Sequence, residues 1–526
     1  MSATRGTRTL LRFYLRRDRI MLACWIAGGF LLYYSQAASV DGLYTTQAEL
    51  DKAAAGMETN TAFIAMSGPA RALNTVGGQV AWQASAFGAI LAGLMSMFLV
   101  VRHTRAEEET GRDELVRAAA IGRHAPLAAT MLVVLIADVL LGGVVAAGLI
   151  SYGLPSAGSI SLGLALTLAG LVFGAVALVA AQLTEGARAA YGVTGAVVGV
   201  SYALRAIGDV GNSTLSWLSP IGWGQAMRAY AVEIWWPALL SVAATAVLVA
   251  GALQLFARRD VGAGMWPSRP GPLRGGTTMN SALGLAWRLQ RGAVIGWTVA
   301  LFLTGIAYGS IGDDVEDLLG DSEFSQDVFG AGGGSLVDSF YATSALMLGL
   351  IATGFTIASL LRLRGEEADD HAELLLATAL PRSRWAASHL TIMVAGTVSA
   401  VVAAGLGLGL GFALVTGDSG SIPRLTGATV QYAVPVLVLA ALAWLAYGIH
   451  SRWGSIGWVA LGFCVIVMMF GELLRFPSWL TGLSPFGHLA SVPAQDFRVL
   501  PVLLQLALIA ALGAAGMFAV HRCDLA

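Results

Sequence analysis

Arg102-His103-Thr104-Arg105-Ala106-Glu107-Glu108-Glu109-Thr110-Gly111-Arg112-Asp113-Glu114-Leu115-Val116-Arg117 is a strongly charged stretch between two long apolar blocks, and it occurs twice. The second copy begins at Arg362 and continues Leu363-Arg364-Gly365-Glu366-Glu367-Ala368-Asp369-Asp370-His371-Ala372-Glu373-Leu374. Arg105, Glu107, Glu108, Glu114, Leu115 and Ala118 match Arg364, Glu366, Glu367, Glu373, Leu374 and Ala377, all at an offset of 259. Six matches at one offset make this a repeat. On a helix, Glu107, Gly111, Glu114, Leu115 and Ala118 share one side. The spacing predicts a short amphipathic helix along a membrane surface, presenting carboxylates and a few apolar side chains to the cytoplasm. Acidic residues in its first turn suit the helix dipole. One departure marks the second copy: Gly111-Arg112 becomes Asp370-His371, so the two loops are expected to be unequal.

Outward from these loops the repeat continues. Arg16, Arg19 and Trp25 match Arg288, Arg291 and Trp297 at an offset of 272, and Asp260 matches Asp524 at 264. Leu218-Ser219-Pro220 and Gly222 match Leu483-Ser484-Pro485 and Gly487 at 265. Loops absorb the drift between offsets. The expected organisation is a first half at 1–260, a Gly/Pro-rich linker at 261–281 and a second half at 282–526.

Composition explains what the repeats are made of. The chain is 56% hydrophobic and 12% charged, about half the ~25% charge of a soluble protein. With a net charge of −1, this excludes an ordinary soluble enzyme, a disordered chain and a nucleic-acid binder. A helix needs about 20 apolar residues to cross the hydrocarbon. Twelve blocks qualify, near 20–40, 82–101, 126–151, 159–182, 189–207, 236–256, 292–311, 340–361, 386–415, 426–449, 454–474 and 500–520. The expected fold is an all-α integral membrane protein of about 12 transmembrane helices in two parallel six-helix halves. With the N-terminus inside, inner segments hold 24 of the 31 basic residues, which places both termini in the cytoplasm. Arginines, an apolar run and Ser35-Gln36-Ala37 resemble a cleavable signal, but the first block has an internal counterpart and reads as a true span.

The chemistry is sparse. Cys24, Cys464 and Cys523 imply no disulfide framework and show no metal-ligand spacing. Lys52 is the one lysine; it precedes Ala53 and follows no glycine. A P-loop needs Gly-Lys-Ser/Thr to hold phosphates, so any ATP and magnesium belong to another chain. No catalytic residue and no metal site are expected. Asp138, mid-span, is either a structural partner within the bundle or a substrate or proton site; its counterpart is Thr397. Glu472 and Arg475 are read as a pair, His389 as interfacial, and the acidic outer segment around Asp313, Asp314, Glu316 and Asp317 as a solubilising surface. Ser219-Pro220 and Ser484-Pro485 read as helix starts, with serine as N-cap and proline at the first helical position.

The doubled Arg105-x-Glu107-Glu108 with Glu114-Leu115, its copy from Arg364 to Leu374, and Arg258-Arg259-Asp260 closing the first half resemble the permease subunits of type-2 ATP-binding-cassette exporters, in the fused two-half actinobacterial form associated with antibiotic and multidrug efflux. The resemblance covers essentially the whole chain. It implies export of amphipathic small molecules through the plasma membrane, powered by a separate cytoplasmic ATP-binding subunit in two copies. Arg105, Glu107, Glu108, Glu114 and Leu115, with Arg364, Glu366, Glu367, Glu373 and Leu374, would couple to it. Reversing Glu107 and Glu108 to lysine should then abolish coupling in a folded protein. The segments Arg12–Arg19 and Trp287–Arg291 would be interfacial elbow helices, unless they simply set topology. Ser219, Pro220, Ser484 and Pro485 would belong to an outer gate. The first, second and fifth spans of each half would line the substrate path, with Phe30, Tyr33, Phe87, Met95, Tyr202, Phe302, Tyr308, Met347, Phe355, Phe463 and Met468 as candidate lining residues beside Asp138, or as ordinary packing. A proton-coupled secondary multidrug transporter is the alternative, although its Gly-x-x-x-Asp-Arg-x-Gly-Arg-Arg loop is not matched by Thr104–Arg112. A polytopic membrane enzyme ranks below both.

Overall fold

The computed structural model describes residues 4–44, 46–59, 61–211, 213–260, 262–266, 276, 281–311, 335–368, 370–470 and 476–522. The chain is an all-α membrane protein, and among the described residues twelve helical segments are long and apolar enough to span a bilayer. It divides into two compact units, Met1–Gly271 and Pro272–Ala526, and the division falls inside the Gly/Pro-rich segment 261–281. The candidate pair Glu472 and Arg475, the acids from Asp313 to Asp327, and Cys523 with Asp524 lie outside the described residues.

The spans of the first unit are α1 (Thr7–Leu43), α4 (Val76–His103), α7 (Ala125–Tyr152), α8 (Ser156–Leu183), α9 (Ala187–Val210) and α11 (Pro237–Arg258). Between them lie the short helices α2 (Gln47–Thr59), α3 (Thr61–Ser67), α5 (Arg105–Glu109), α6 (Arg112–Ala118) and α10 (Pro220–Ala226). In the second unit α12 (Ala282–Gly309) and α13 (Leu336–Leu360) are followed by the short α14 (Arg362–Ala368) and α15 (His371–Leu376). Then come α16 (Arg382–Thr416), α17 (Ser421–Val430), α18 (Ala433–Ile449), α19 (Ile456–Phe470), the short α20 (Ser478–Thr481) and α21 (Val499–Arg522). Within each unit the first span lies along the third, the second along the fourth, and the fourth along the sixth. The repeat read from loop motifs is therefore also a repeat of packing.

Small residues allow the closest approach. A Cβ built on Gly305 or Gly309 of α12 would stand 2.2 or 2.1 Å from a carbonyl oxygen of α16, and one on Gly407 of α16 would stand 2.1 Å from the Phe302 carbonyl of α12. Hydrocarbon supplies no hydrophobic drive between helices, so such glycine-mediated contact is a main source of association there.

Two boundaries differ from the hydropathy reading. The tenth block is not one helix: it breaks at Gln431-Tyr432 between α17 and α18, upstream of Pro435, which has no N–H to continue the ladder. The first span begins at Thr7, so the arginines from Arg8 to Arg19 ride on the same 37-residue helix. Among the described residues there is no separate elbow helix; α12 likewise runs unbroken through Trp287–Arg291.

Candidate functional site

The charged loop follows directly from the end of α4. Thr104 turns the chain, α5 makes barely more than one turn, and Gly111 takes a left-handed φ of 70° before α6. The single amphipathic helix expected from the spacing is thus two short helices set at an angle. Asp370, the Gly111 counterpart, has φ 58° and separates α14 from α15 in the same way. Aspartate is among the few L-residues that tolerate this conformation. The departure in the motif is therefore a second solution to the same turn.

The break reorganises the carboxylates. Arg105 is fully buried. Its Nη1 donates to Glu108 Oε2 at 2.7 Å, its Nη2 to the Ala263 carbonyl at 3.0 Å, and its Nε to the Ala181 carbonyl at the end of α8. Glu108 also receives Arg259, with Nη2 at 2.5 Å from Oε1 and Nη1 at 3.1 Å from Oε2. Arg259 Nε donates to Gln182 Oε1 at 2.7 Å. Glu107 takes Arg17 Nη1 at 2.8 Å, and Glu109 Oε1 accepts the backbone N–H of Ala187 at the start of α9, also at 2.8 Å. These side chains lock the loop to the ends of α1, α8, α9 and α11. They do not present free carboxylates to solvent, which corrects the outward-facing expectation for Glu107 and Glu108. What faces out is α6, with Glu114 exposed and Leu115 77% exposed.

The second copy reaches a similar result with different partners. Glu366 is buried and paired with Arg362 Nη2 at 3.0 Å and His371 Nδ1 at 3.5 Å. Glu367 accepts the Tyr447 hydroxyl at 2.6 Å, near the end of the fourth span, where Gln182 stands in the first half. Arg364 is exposed, unlike its buried counterpart Arg105. Glu373 is exposed, and Leu374 is 73% exposed on α15. Each half thus shows one short helix bearing an outward Glu-Leu pair, on differently anchored bases.

Beneath the first loop lies a charged cluster that the sequence reading did not anticipate. Asp18 on α1 is buried, with Oδ2 at 2.5 Å from His103 Nε2 and Oδ1 at 3.1 Å from Arg102 Nε. Tyr14 stacks on His103 with centroids 4.0 Å apart. At the same place in the repeat, 272 residues on, Gln290 replaces Asp18. Gln290 Nε2 meets His389 Nδ1 at 3.1 Å, and its Oε1 accepts from Ser359. His389 is therefore a buried bundle residue, not an interfacial one. The signal for this cluster was an ionisable residue on the apolar face of an arginine-rich helix.

At the opposite end, Ser219 caps α10, accepting from Ile221 and Gly222 N–H at 3.2 and 3.4 Å with Pro220 at the first position. Ser484 precedes a 3-10 turn, Pro485–His488, without capping it through its side chain. Asp138 is fully buried and accepts the Ser96 hydroxyl at 2.9 and 3.0 Å, while in the second half Thr397 pairs with Thr356 at 2.8 Å. A polar link between second and third spans thus recurs with a different chemistry.

The lining candidates scatter within their own halves. Tyr33, Met95 and Phe355 are buried, and Tyr33 donates to the Ala84 carbonyl at 3.1 Å. Phe30 packs over Gly148, and Tyr202 donates to the Met66 carbonyl at 2.9 Å. Phe302, Tyr308, Met347, Phe463 and Met468 are half-buried, and Phe87 is 44% exposed. Among the described residues no group of three His, Cys, Asp or Glu has the arrangement of a metal site.

Among the described residues, twelve candidate membrane spans in two units of one packing plan, each with a short charged loop after its second span, define an internally repeated multi-pass membrane protein. The family model described as "Multidrug efflux system permease Rv1217c, C-terminal domain" matches residues 279–521. The chain is 39% identical, over 99% of its own length and 95% of the relative's, to the "Multidrug efflux system permease protein Rv1217c" of Mycobacterium tuberculosis. The chain belongs to this family of multidrug efflux system permeases.

Proposed function

We propose that the chain is the membrane subunit of an ATP-driven exporter of amphipathic small molecules, such as drugs, antibiotics or lipid-like compounds. Two copies of a separate cytoplasmic ATP-binding subunit, carrying the ATP and magnesium, dock on α6 and α15, with both termini on their side of the plasma membrane. The observation carrying this reading is the doubled outward Glu-Leu pair, Glu114-Leu115 and Glu373-Leu374, on helices braced against the span ends. An exposed leucine rimmed by charge is the composition of a protein contact. The braced base suits it to pass a push to the spans. Outer elements at Ser219-Pro220 and Ser484-Pro485 act as the far gate, and the path residues contact substrate when the halves rearrange.

Copurification with a cytoplasmic ATPase, followed by substrate-stimulated hydrolysis, tests this. Leu115→Asp with Leu374→Asp should abolish stimulation with the fold unchanged, because neither side chain is packed. Pumping by the chain alone in liposomes under a pH gradient would instead favour the proton-coupled alternative.

A further inference from the structure

At the end of the first half away from the charged loop lies an open cavity between the segment 67–71, α4, α8 and α10. Arg71 and Arg228 both line it, with Gln225, Trp82, Ser85 and Leu162. Arg71 Nη1 donates to the Gln225 carbonyl at 3.0 Å, which fixes that guanidinium on the wall. Burial and the like charge of Arg228 push Arg71 below the ordinary arginine range. Asp209, the carboxylate that acts against this shift, is already engaged by Arg205 at 3.6 Å and by the Ser216 hydroxyl at 2.6 Å. Among the described residues neither Arg71 nor Arg228 has a carboxylate within ion-pair distance. Two guanidiniums facing one cavity without a counter-charge are suited to an anion.

The backbone gives an independent pointer. Arg228, Tyr230 and Val232 have φ of 53°, 64° and 55°, and Ala72, beside Arg71, has φ 49°. Left-handed backbone is strained for such residues, above all for β-branched valine. It persists only where packing over-determines it, and it gathers at ligand sites. Tyr230 is the pin: its ring covers Gly77 and Gly158, where a Cβ would come within 2.6 and 2.2 Å of it. Its hydroxyl lies 2.9 Å from Ser159 Oγ. Helix packing thus holds Arg228 at the cavity mouth in a conformation it would not adopt alone.

The remaining wall sets the ligand class. Gln225 Nε2 donates to the Ser67 carbonyl at 2.6 Å and to Ser85 Oγ at 3.0 Å, and its buried Oε1 has no partner. That oxygen is free to accept from a hydroxyl. The Trp82 N–H is spent on the Gly68 carbonyl at 2.7 Å, leaving its ring, with Leu162, as apolar lining.

We propose that this cavity binds a hydroxyl-bearing phosphoester, with Arg71 and Arg228 holding the phosphate and Gln225 Oε1 taking a hydroxyl. The same chemistry comes from the glycerol headgroup of an anionic lipid or from a soluble glycerol phosphate. The proposal stands apart from the ATPase reading, since its test needs no partner chain. The full-length protein in neutral detergent is titrated with phosphatidylglycerol, phosphatidylcholine and glycerol phosphate, read by native mass spectrometry and thermal unfolding. Phosphatidylglycerol should be retained over phosphatidylcholine. Arg71→Gln and Arg228→Asn should each weaken it about tenfold or more, while Arg228→Lys keeps most of the affinity. Asparagine tolerates left-handed backbone, so Arg228→Asn leaves the fold intact and keeps the test decisive if Arg71→Gln misfolds. Stabilisation by glycerol phosphate assigns a soluble ligand, and stabilisation by phosphatidylglycerol alone assigns the lipid headgroup; both uphold the site. Equal retention of phosphatidylcholine, no stabilisation by any probe, or unaltered affinity in Arg228→Asn would overturn it.

Discussion

Glu108 holds two arginines on one carboxylate, and that fact reverses the expectation for its mutation. Without it, buried Arg105 and nearly buried Arg259 face each other uncompensated. Breaking a buried pair from one side costs about 3–5 kcal/mol. Glu108→Gln should therefore lower the thermal midpoint of the solubilised protein strongly, and Glu108→Lys should fail to accumulate, so charge reversal there tests folding before coupling. Glu107 meets Arg17 at a half-open position, and Glu107→Gln should cost below about 1 kcal/mol. Equal thermal midpoints for Glu107→Gln and Glu108→Gln would contradict the network. Asp138 belongs to the same scale. Its contacts are a Ser96 hydroxyl and a snug fit against Gly170, and the second half manages with Thr397 and Thr356. Asp138→Asn keeps an acceptor for Ser96 and should transport undiminished in an efflux assay; lost transport in a protein of unchanged stability would make Asp138 functional instead.

At the scale of elements, the short helices are separated by a turn that needs a left-handed residue. Gly111→Ala should destabilise by about 1–2 kcal/mol, the handedness cost of a Cβ there. Asp370→Gly should be neutral or slightly stabilising, since it relieves the same strain. Thermal unfolding of the two variants checks the pair, and a neutral Gly111→Ala would remove the hinge from the argument. This turn also marks how far sequence reading went. Hydropathy located all twelve spans, because twenty apolar residues in a row admit few structures in lipid. The offset repeat located both loops. Neither contains phase information about a backbone break, so helical spacing sets Gly111 on a helix face, whereas it stands between helices. Pairing was less legible still. Arg259 closes the first half in the sequence, and its carboxylate lies 151 residues away; no local period encodes such a contact. Asp18 was hidden among arginines that topology alone seemed to explain.

Across the whole molecule, the repeat conserves positions while exchanging chemistry. Asp18 with His103 and Arg102 becomes Gln290 with His389 and Ser359, charged in one half and neutral in the other. The two solutions should not be interchangeable. Asp18→Asn takes the carboxylate from buried His103 and from Arg102, whose side chain is 44% exposed, at a cost of about 1.5–3 kcal/mol for the lost charged hydrogen bonding. Gln290→Glu places a carboxylate against His389 and Ser359 in a site built for an amide. It must either ionise in low dielectric or stay protonated, its O–H then meeting His389 and its carbonyl Ser359, so its cost is the smaller of the two. Each variant should lower the thermal midpoint of the full-length protein, Asp18→Asn more than Gln290→Glu. The double variant should show no mutual rescue, because the two positions lie in separate units and share no partner. Additive losses fit halves that diverged within one packing plan. Recovery in the double variant would mean instead that the two clusters are energetically one, and that the halves cannot be reasoned about singly.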